Sequence, residues 1–144
     1  MNSPRVEIRF PGLRDRIGSA FEDLRGALDA EQLGAAARYR AELVFEEIVT
    51  NIIRYGAQRG RDLDVCVTLE VCPDEIVLTF EDDGTPFDPR VPSDPAPRKS
   101  LEDAKVGGFG LMLVRRSARS LDYLRTADGH NRLTVRVARH EQGA

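Results

Sequence analysis

The chain has 144 residues, enough for one domain with a buried core, and its 41% hydrophobic and 31% charged residues are ordinary proportions for a globular protein. Its formal net charge of -3 provides no basic surface for nucleic acid. No apolar run approaches the roughly 20 residues that span a bilayer, and residues 1–10 lack the apolar core of a signal peptide. We therefore expect a cytoplasmic protein that contacts neither nucleic acid nor membrane.

The first half of the chain predicts a strand, two helices and a hairpin. Apolar residues alternate with charged ones in the first segment, and they recur at helical spacing in the next two, with Gly56 as a plausible helix stop. Two further alternating segments are separated by the turn Cys72-Pro73-Asp74-Glu75. In chain order the predicted elements are residues 6–10 (strand), 13–28 (helix), 33–55 (helix), 63–71 (strand) and 76–81 (strand).

The second half predicts a long loop, a helix and a final hairpin. Residues 82–106 hold five prolines and no apolar period, and loops of this length are usually functional or disordered. A helix is predicted over 109–117, and strands over 121–126 and 132–138 with a turn at 128–131. The order β-α-α-β-β-loop-α-β-β predicts one α+β domain over residues 1–144. We expect a two-layer sandwich, with a mixed, mostly antiparallel sheet and helices on one face.

The cysteines and histidines exclude some kinds of chemistry. Cys66 and Cys72 would lie about 20 Å apart along a strand, too far for a disulfide. His130 and His140 are the two histidines of the chain, so it offers few residues for a histidine-based metal site or a Ser-His-Asp triad. Any reaction must therefore use carboxylates, amides, glycines and cations.

The second helix carries the first candidate site residues. Glu47 and Asn51 are four residues apart, so they lie one turn above the other at the border of the apolar face. Glu46 points about a third of a turn away, toward solvent. Taken alone, this segment is better explained as an ordinary amphipathic helix, although asparagine is a mediocre helix former.

A strand that ends in Asp82-Asp83-Gly84 forms the second candidate segment. The carboxylate of Asp82 could accept a hydrogen bond from a donor such as an exocyclic amine, and Gly84 would let the backbone approach a flat ring. Acidic residues followed by glycine are also common in plain turns.

Glycines before the third helix form the last candidate segment, Gly107-Gly108-Phe109-Gly110-Leu111. Exposed backbone N–H groups and the positive end of the helix dipole favour an anion there. No Gly-Lys-Ser/Thr follows, so the segment is not a P-loop, and no strand leads into it as in a dinucleotide-binding fold. A flexible joint is the alternative.

Together, in this order, the three segments resemble the conserved boxes of the Bergerat ATPase superfamily, which includes gyrase-type ATPases and histidine kinases. The amino-acid sequences of these segments resemble the anti-sigma-factor serine/threonine kinases in particular. The segments are residues 47–51, 82–88 and 107–114, and the closing segment 128–133 shows the same resemblance. The resemblance covers roughly Val6 to Val137. Two positions depart from it: Arg54 stands where the family often has histidine, and Pro86 replaces a glycine.

The resemblance implies an ATP site with Mg²⁺ and a role for each residue. Asp82 would recognise the adenine amino group, Gly84 would give the base room, and Asn51 would hold Mg²⁺ through its amide oxygen. Glu47 would be the catalytic base, and Lys105 would be a solvated cation of a lid over about residues 88–107. The residues placed at the phosphates are Gly108, Phe109, Gly110 and Leu111.

The family also implies partners. Its protein substrate is a serine or threonine of an anti-anti-sigma partner of the STAS fold, its competing ligand is a sigma factor, and its members are commonly homodimers. Three alternatives stay open. They are the catalytic domain of a histidine kinase, a gyrase-type ATPase, and a non-catalytic, nucleotide-responsive module that binds a partner.

Overall fold

The computed structural model describes residues 4–56, 62–90 and 109–140. The predicted order of strands and helices is confirmed within them. The elements are β1 (Arg5–Pro11), a 3-10 turn (Arg14–Arg16), α1 (Ile17–Asp29), α2 (Ala35–Gly56), β2 (Asp64–Val71), β3 (Glu75–Asp82), α3 (Phe109–Ser117), β4 (Ala118–Arg125) and β5 (Asn131–Ala138).

Two predicted boundaries differ from the structure by more than two residues. The segment predicted as one helix over 13–28 begins with the 3-10 turn and becomes α-helical at Ile17. β4 begins at Ala118, directly after α3, rather than at Leu121. A register irregularity between Ala118 and Ser120 interrupts the pairing of β4 with β5, so the start of the strand has no regular alternation for the sequence to reveal.

The five strands form one sheet in the order β1-β2-β3-β5-β4, and every strand pair in it is antiparallel. The predicted α+β fold with a mostly antiparallel sheet is confirmed, and the sheet is wholly antiparallel rather than mixed. A pair of helices, α1 and α2, connects β1 to β2. Because the second helix reverses the direction of the first, the chain enters β2 beside the end of β1 and runs antiparallel to it.

The core lies between the helices and one face of the sheet. In β2 the buried residues alternate with partly exposed ones, and the buried set packs beneath α2. Phe45 of α2 is fully buried and its ring lies 6.1–6.5 Å from three other phenylalanine rings, those of Phe10, Phe21 and Phe80. This aromatic cluster fixes α2 against the centre of the sheet and so positions the residues at its C-terminal end.

Cys66 and Cys72 are both free thiols, as their predicted separation requires. Within the described ranges, no helix combines the length and apolar character needed to cross a membrane.

Candidate functional site

A pocket lies between the C-terminal part of α2 and the adjoining ends of β3 and β5. It contains about 390 Å³ of space free of protein atoms, including its open mouth. Its wall is largely apolar, with three buried polar side chains, those of Asn51, Asp82 and Asn131. The lining residues are Ile48, Asn51, Ile52, Gly56, Phe80, Asp82, Thr85, Phe87, Pro89, Tyr123, Asn131 and Leu133. An apolar wall with a few fixed polar groups suits a flat, polar-edged ligand.

Asp82 is the last residue of β3 and is only 5% exposed. Its Oδ1 accepts hydrogen bonds from the backbone N–H of Gly84 (2.9 Å) and from Nδ2 of Asn131 (3.0 Å). Burial raises the pKa of the Asp82 carboxyl, and these two hydrogen bonds oppose that rise. The structure therefore fixes a buried acceptor in the pocket wall, at the position predicted from the sequence.

Asn131 is a residue of this pocket that the sequence analysis did not assign to it. It is the first residue of β5 and pairs in register with Asp82. Its Nδ2 donates to Asp82 Oδ1 and to the carbonyl of Thr85 (2.8 Å), while its Oδ1 accepts from the Phe87 N–H (3.2 Å) and from the Tyr123 hydroxyl. Both N–H donors and the oxygen of the Asn131 side-chain amide therefore form hydrogen bonds. The sequence signal for this role is weak, because an asparagine two residues after Asp128-Gly129 is typical of an ordinary turn.

Gly84 is required by packing against α2. A Cβ at this position would lie 2.5 Å from the carbonyl oxygen of Gly56 and 2.7 Å from Leu63 Cδ1. The missing side chain makes room for the helix end, while the room that Gly84 is predicted to give the base stays a prediction. Arg125 donates to the Gly84 carbonyl (2.8 Å) and holds the turn from the other side.

Asn51 and Glu47 lie one turn apart on α2, as predicted. Asn51 is 4% exposed, and its Nδ2 donates to the Glu47 backbone carbonyl at 2.8 Å. This bond fixes the orientation of the amide, so Oδ1 is the atom left buried without a hydrogen-bond partner among the described residues. Such an orphaned oxygen is costly unless a ligand, ion or water satisfies it.

Glu47 is half-buried, whereas Glu46 is exposed, which confirms the predicted difference between the two. Burial raises the pKa of the Glu47 carboxyl, and the neighbouring charge of Glu46 raises it further. Glu47 does not line the pocket itself, but it precedes Asn51, which does, by one helical turn.

The helical spacing of α2 predicts one apolar stripe through Val44, Ile48, Ile52 and Tyr55, and this prediction is wrong near the end of the helix. Ile53 is buried there, Ile52 instead lines the pocket, and Tyr55 is 39% exposed. Tyr55 stacks on Phe87, with ring centroids 5.0 Å apart and planes inclined by 18°. The guanidinium carbon of Arg54, one of the two departures from the family pattern, lies 5.4 Å from the centre of the Tyr55 ring. Tyr55 therefore faces the chain after β3, while Ile53 of the same turn packs in the core.

The first residues of the predicted lid are held in place. Asp88 forms an ion pair with Arg90 (2.9 Å), which lowers the pKa of the Asp88 carboxyl. Arg115 of α3 donates to the carbonyls of Pro89 (2.9 Å) and Arg90 (2.8 Å). The root of the lid is thus tied to the helix that follows it in the chain.

Much of the predicted phosphate site lies beyond the described parts of the chain. The remainder of the lid, with Lys105 and Gly108, lies outside the described residues. Phe109, Gly110 and Leu111 form the first turn of α3, and their side chains are also outside the description. Their predicted phosphate contacts stay predictions.

Known proteins are similar to most of this chain. The histidine kinase-like ATPase domain family matches residues 10–137. The serine/threonine-protein kinase BtrW of Bordetella bronchiseptica is 32% identical over 105 residues, which are 73% of this chain and 73% of that protein. A chain in the crystal structure of the SiaB–SiaC complex from Pseudomonas aeruginosa is similar with a TM-score of 0.56 at 20% identity, over 90% of this chain and 88% of that chain. The last similarity concerns the fold alone, and it agrees with the α+β architecture. The family match and the kinase relative together show that the chain belongs to the histidine kinase-like ATPase domain family, as a relative of the anti-sigma-factor kinases.

Proposed function

We propose that this protein is an ATP-dependent protein serine/threonine kinase. It transfers the terminal phosphate of ATP to a serine or threonine of an anti-anti-sigma partner of the STAS fold, and it sequesters a sigma factor as a homodimer in the cytoplasm. The observation that carries the proposal is the buried Oδ1 of Asn51, which has no hydrogen-bond partner in the described part of the chain. Asn51 lies one turn after Glu47, in the wall of the Asp82 pocket.

Adenine recognition is assigned to Asp82. Its carboxylate accepts a hydrogen bond from the adenine amino group, while the apolar wall of the pocket covers the faces of the base. Asn131 keeps the carboxylate in position through the 3.0 Å hydrogen bond to Oδ1. The backbone N–H groups at the start of α3, with Gly108 before them, bind the phosphates as the N-terminus of a helix does.

Asn51 suits a hard cation. An amide oxygen is a ligand type that Mg²⁺ accepts, and the orphaned Oδ1 is a vacant acceptor of that kind. Among the described residues no group of three or more His, Cys, Asp or Glu side chains could hold a metal. Mg²⁺ at Asn51 would therefore take its other ligands mainly from phosphate and water, and it would neutralise charge on the phosphates.

Glu47 acts as the general base in this proposal. It accepts the proton of the incoming serine or threonine hydroxyl, and its raised pKa makes it a stronger base than an exposed glutamate. The BtrW relative is a serine/threonine-protein kinase by name, which supports protein kinase activity for this chain.

The test is phosphate transfer from labelled ATP to a co-purified STAS partner. Glu47→Gln keeps the shape of the side chain and removes the base, so the transfer rate should fall on the order of 10²–10⁴-fold while the dissociation constant for ATP changes little. In the wild type the rate should fall at low pH, as the Glu47 carboxyl becomes protonated.

Glu46→Gln is the matched control, because this exposed neighbour carries the same charge. Its transfer rate should stay near that of the wild type. Equal rates of phosphate transfer in wild type and Glu47→Gln would show that Glu47 is not the base. A wild-type protein that binds ATP and a sigma factor but phosphorylates no STAS partner would be a non-catalytic binding module.

A further inference from the structure

A second groove lies at the other end of α2. Its described lining consists of Arg40, Arg116, Arg119 and His140 with three small neighbours, Ser117, Ala118 and Ala138. The open space in it is about 940 Å³, including solvent. Arg40 precedes Asn51 by eleven residues, about 16 Å along the helix, so this groove is well separated from the nucleotide pocket.

The three arginines of this groove have no carboxylate partner among the described residues. Elsewhere in the described ranges at least six arginines form ion pairs with Asp or Glu, namely Arg9, Arg25, Arg38, Arg90, Arg132 and Arg136. No described Asp or Glu lines the groove. In a chain with a net charge of -3, three arginines along one groove form a local concentration of positive charge.

Several of these side chains are held by backbone carbonyls rather than left mobile. Arg40 donates to the carbonyl of Ala138 (2.8 Å) and Arg119 to that of Asp74 (3.2 Å). His140 lies 3.0 Å from the Pro73 carbonyl through Nε2. The Nε of Arg40 is buried and has no hydrogen-bond partner among the described residues. The groove thus presents oriented donors, and some remain unused.

We propose that this groove binds an acidic peptide segment of a partner protein. The three arginines come from α2 and from the α3–β4 junction, so they suit carboxylates spread along a chain better than one small anion. The negative net charge of the rest of the protein disfavours a long polyanion such as nucleic acid. This site does not depend on nucleotide binding at the other end of α2.

The experiment uses the full chain and a fluorescein-labelled octapeptide of alternating glutamate and glycine. Binding followed by fluorescence anisotropy should be saturable, and it should weaken as the salt concentration rises from about 50 to about 200 mM. The double variant Arg116→Gln/Arg119→Gln should weaken binding roughly tenfold or more, since it removes two charged donors. Both arginines are exposed, so the urea midpoint and the affinity for ATP should stay unchanged.

Arg14→Gln is the control, because it removes the same charge from an exposed arginine outside the groove, and it should bind the peptide as the wild type does. The proposal fails if the wild type does not bind the peptide, or if Arg14→Gln weakens binding as much as the double variant. It also fails if inorganic phosphate or a single-stranded oligonucleotide of equal charge binds more tightly. Binding that appears only in Glu141→Gln would show that the groove serves the chain's own terminus, which would overturn the proposal.

Discussion

At the C-terminal end of α2 the polar side chains are buried and bonded to one another, whereas the cations near its N-terminal end lie in an open groove. Asp82 and Asn131 are each 5% exposed and share a hydrogen bond, while Arg116 and Arg119 are exposed and have no carboxylate partner among the described residues. The comparison indicates that the residues of the pocket serve both ligand binding and folding stability, whereas the exposed arginines of the groove contribute little to folding stability. A buried network cannot lose one member without leaving others unsatisfied, but an exposed arginine can be replaced at little cost to folding.

The largest expected effect is the loss of ATP affinity when Asp82 in the buried network is replaced. Asp82→Asn places an amide that can present N–H donors where the adenine amino group needs an acceptor, so the affinity for ATP should fall roughly 100-fold or more. Calorimetry with ATP and ADP in the presence of Mg²⁺ measures this loss. Binding of the acidic peptide at the opposite groove should be unchanged. Equal ATP affinity in wild type and variant would contradict the assignment of Asp82.

Asn131→Ala tests whether the network, rather than Asp82 alone, forms the pocket. The substitution leaves the Asp82 carboxylate, the Phe87 N–H and the Tyr123 hydroxyl each without one hydrogen bond. The free energy of unfolding should fall by about 2 kcal/mol, and the affinity for ATP should fall with it. Urea denaturation and calorimetry measure the two quantities.

Arg116→Gln is the contrasting variant from the open groove and should leave both quantities near those of the wild type. If Asn131→Ala and Arg116→Gln have the same free energy of unfolding, the buried network contributes no more to stability than the exposed arginine, which would contradict the comparison.

A smaller effect is expected from Gly84→Ala, because a new Cβ would overlap the backbone at Gly56, which cannot swing away. The free energy of unfolding should fall by about 1–2 kcal/mol in urea titrations. Gly18→Ala is the control: nothing lies within 4 Å of a Cβ there, and alanine favours the helix α1. That variant should be slightly more stable than the wild type. A neutral Gly84→Ala would show that the turn can move away from α2.

The smallest effect is a dependence of stability on pH. Because burial raises the pKa of Asp82, the free energy of unfolding that this group contributes falls as pH rises from the carboxyl's ordinary pKa of 3.8 to its higher folded value. Asp82→Asn has no such group, so its stability relative to the wild type should increase over this window and then stay constant.

For Asp88 we expect the opposite dependence of stability on pH. Its pKa is lowered by Arg90, so its stabilising contribution is present above 3.8 and is lost as pH falls below that value through the folded-state pKa. Asp88→Asn should therefore lose stability relative to the wild type at neutral pH, and the difference should vanish in acid. Urea titrations from about pH 2 to 7 follow both variants. Parallel curves for the two variants would contradict the assigned environments.

Local patterns in the sequence were enough to predict most elements and the position of the pocket. The alternation in β2 and β3 and the helical period of α2 follow from which side chains face the core, and that is readable along the chain. The placement of Glu47, Asn51 and Asp82 at one end of the fold was inferred from their order and their resemblance to a known family. Their catalytic and binding roles stay predictions.

Contacts between distant segments were not readable in this way. Asn131 is 49 residues from Asp82, and only the register of β5 against β3 brings the two side chains together. The reason for Gly84 lies in the backbone of Gly56, and the cationic groove joins residues from α2, α3 and the last strand. The sequence by itself determined which segments are strands and helices, because that depends on local periodicity. Tertiary structure alone decided the antiparallel sheet order, the network around Asp82 and the second groove, because each depends on which distant surfaces pack together.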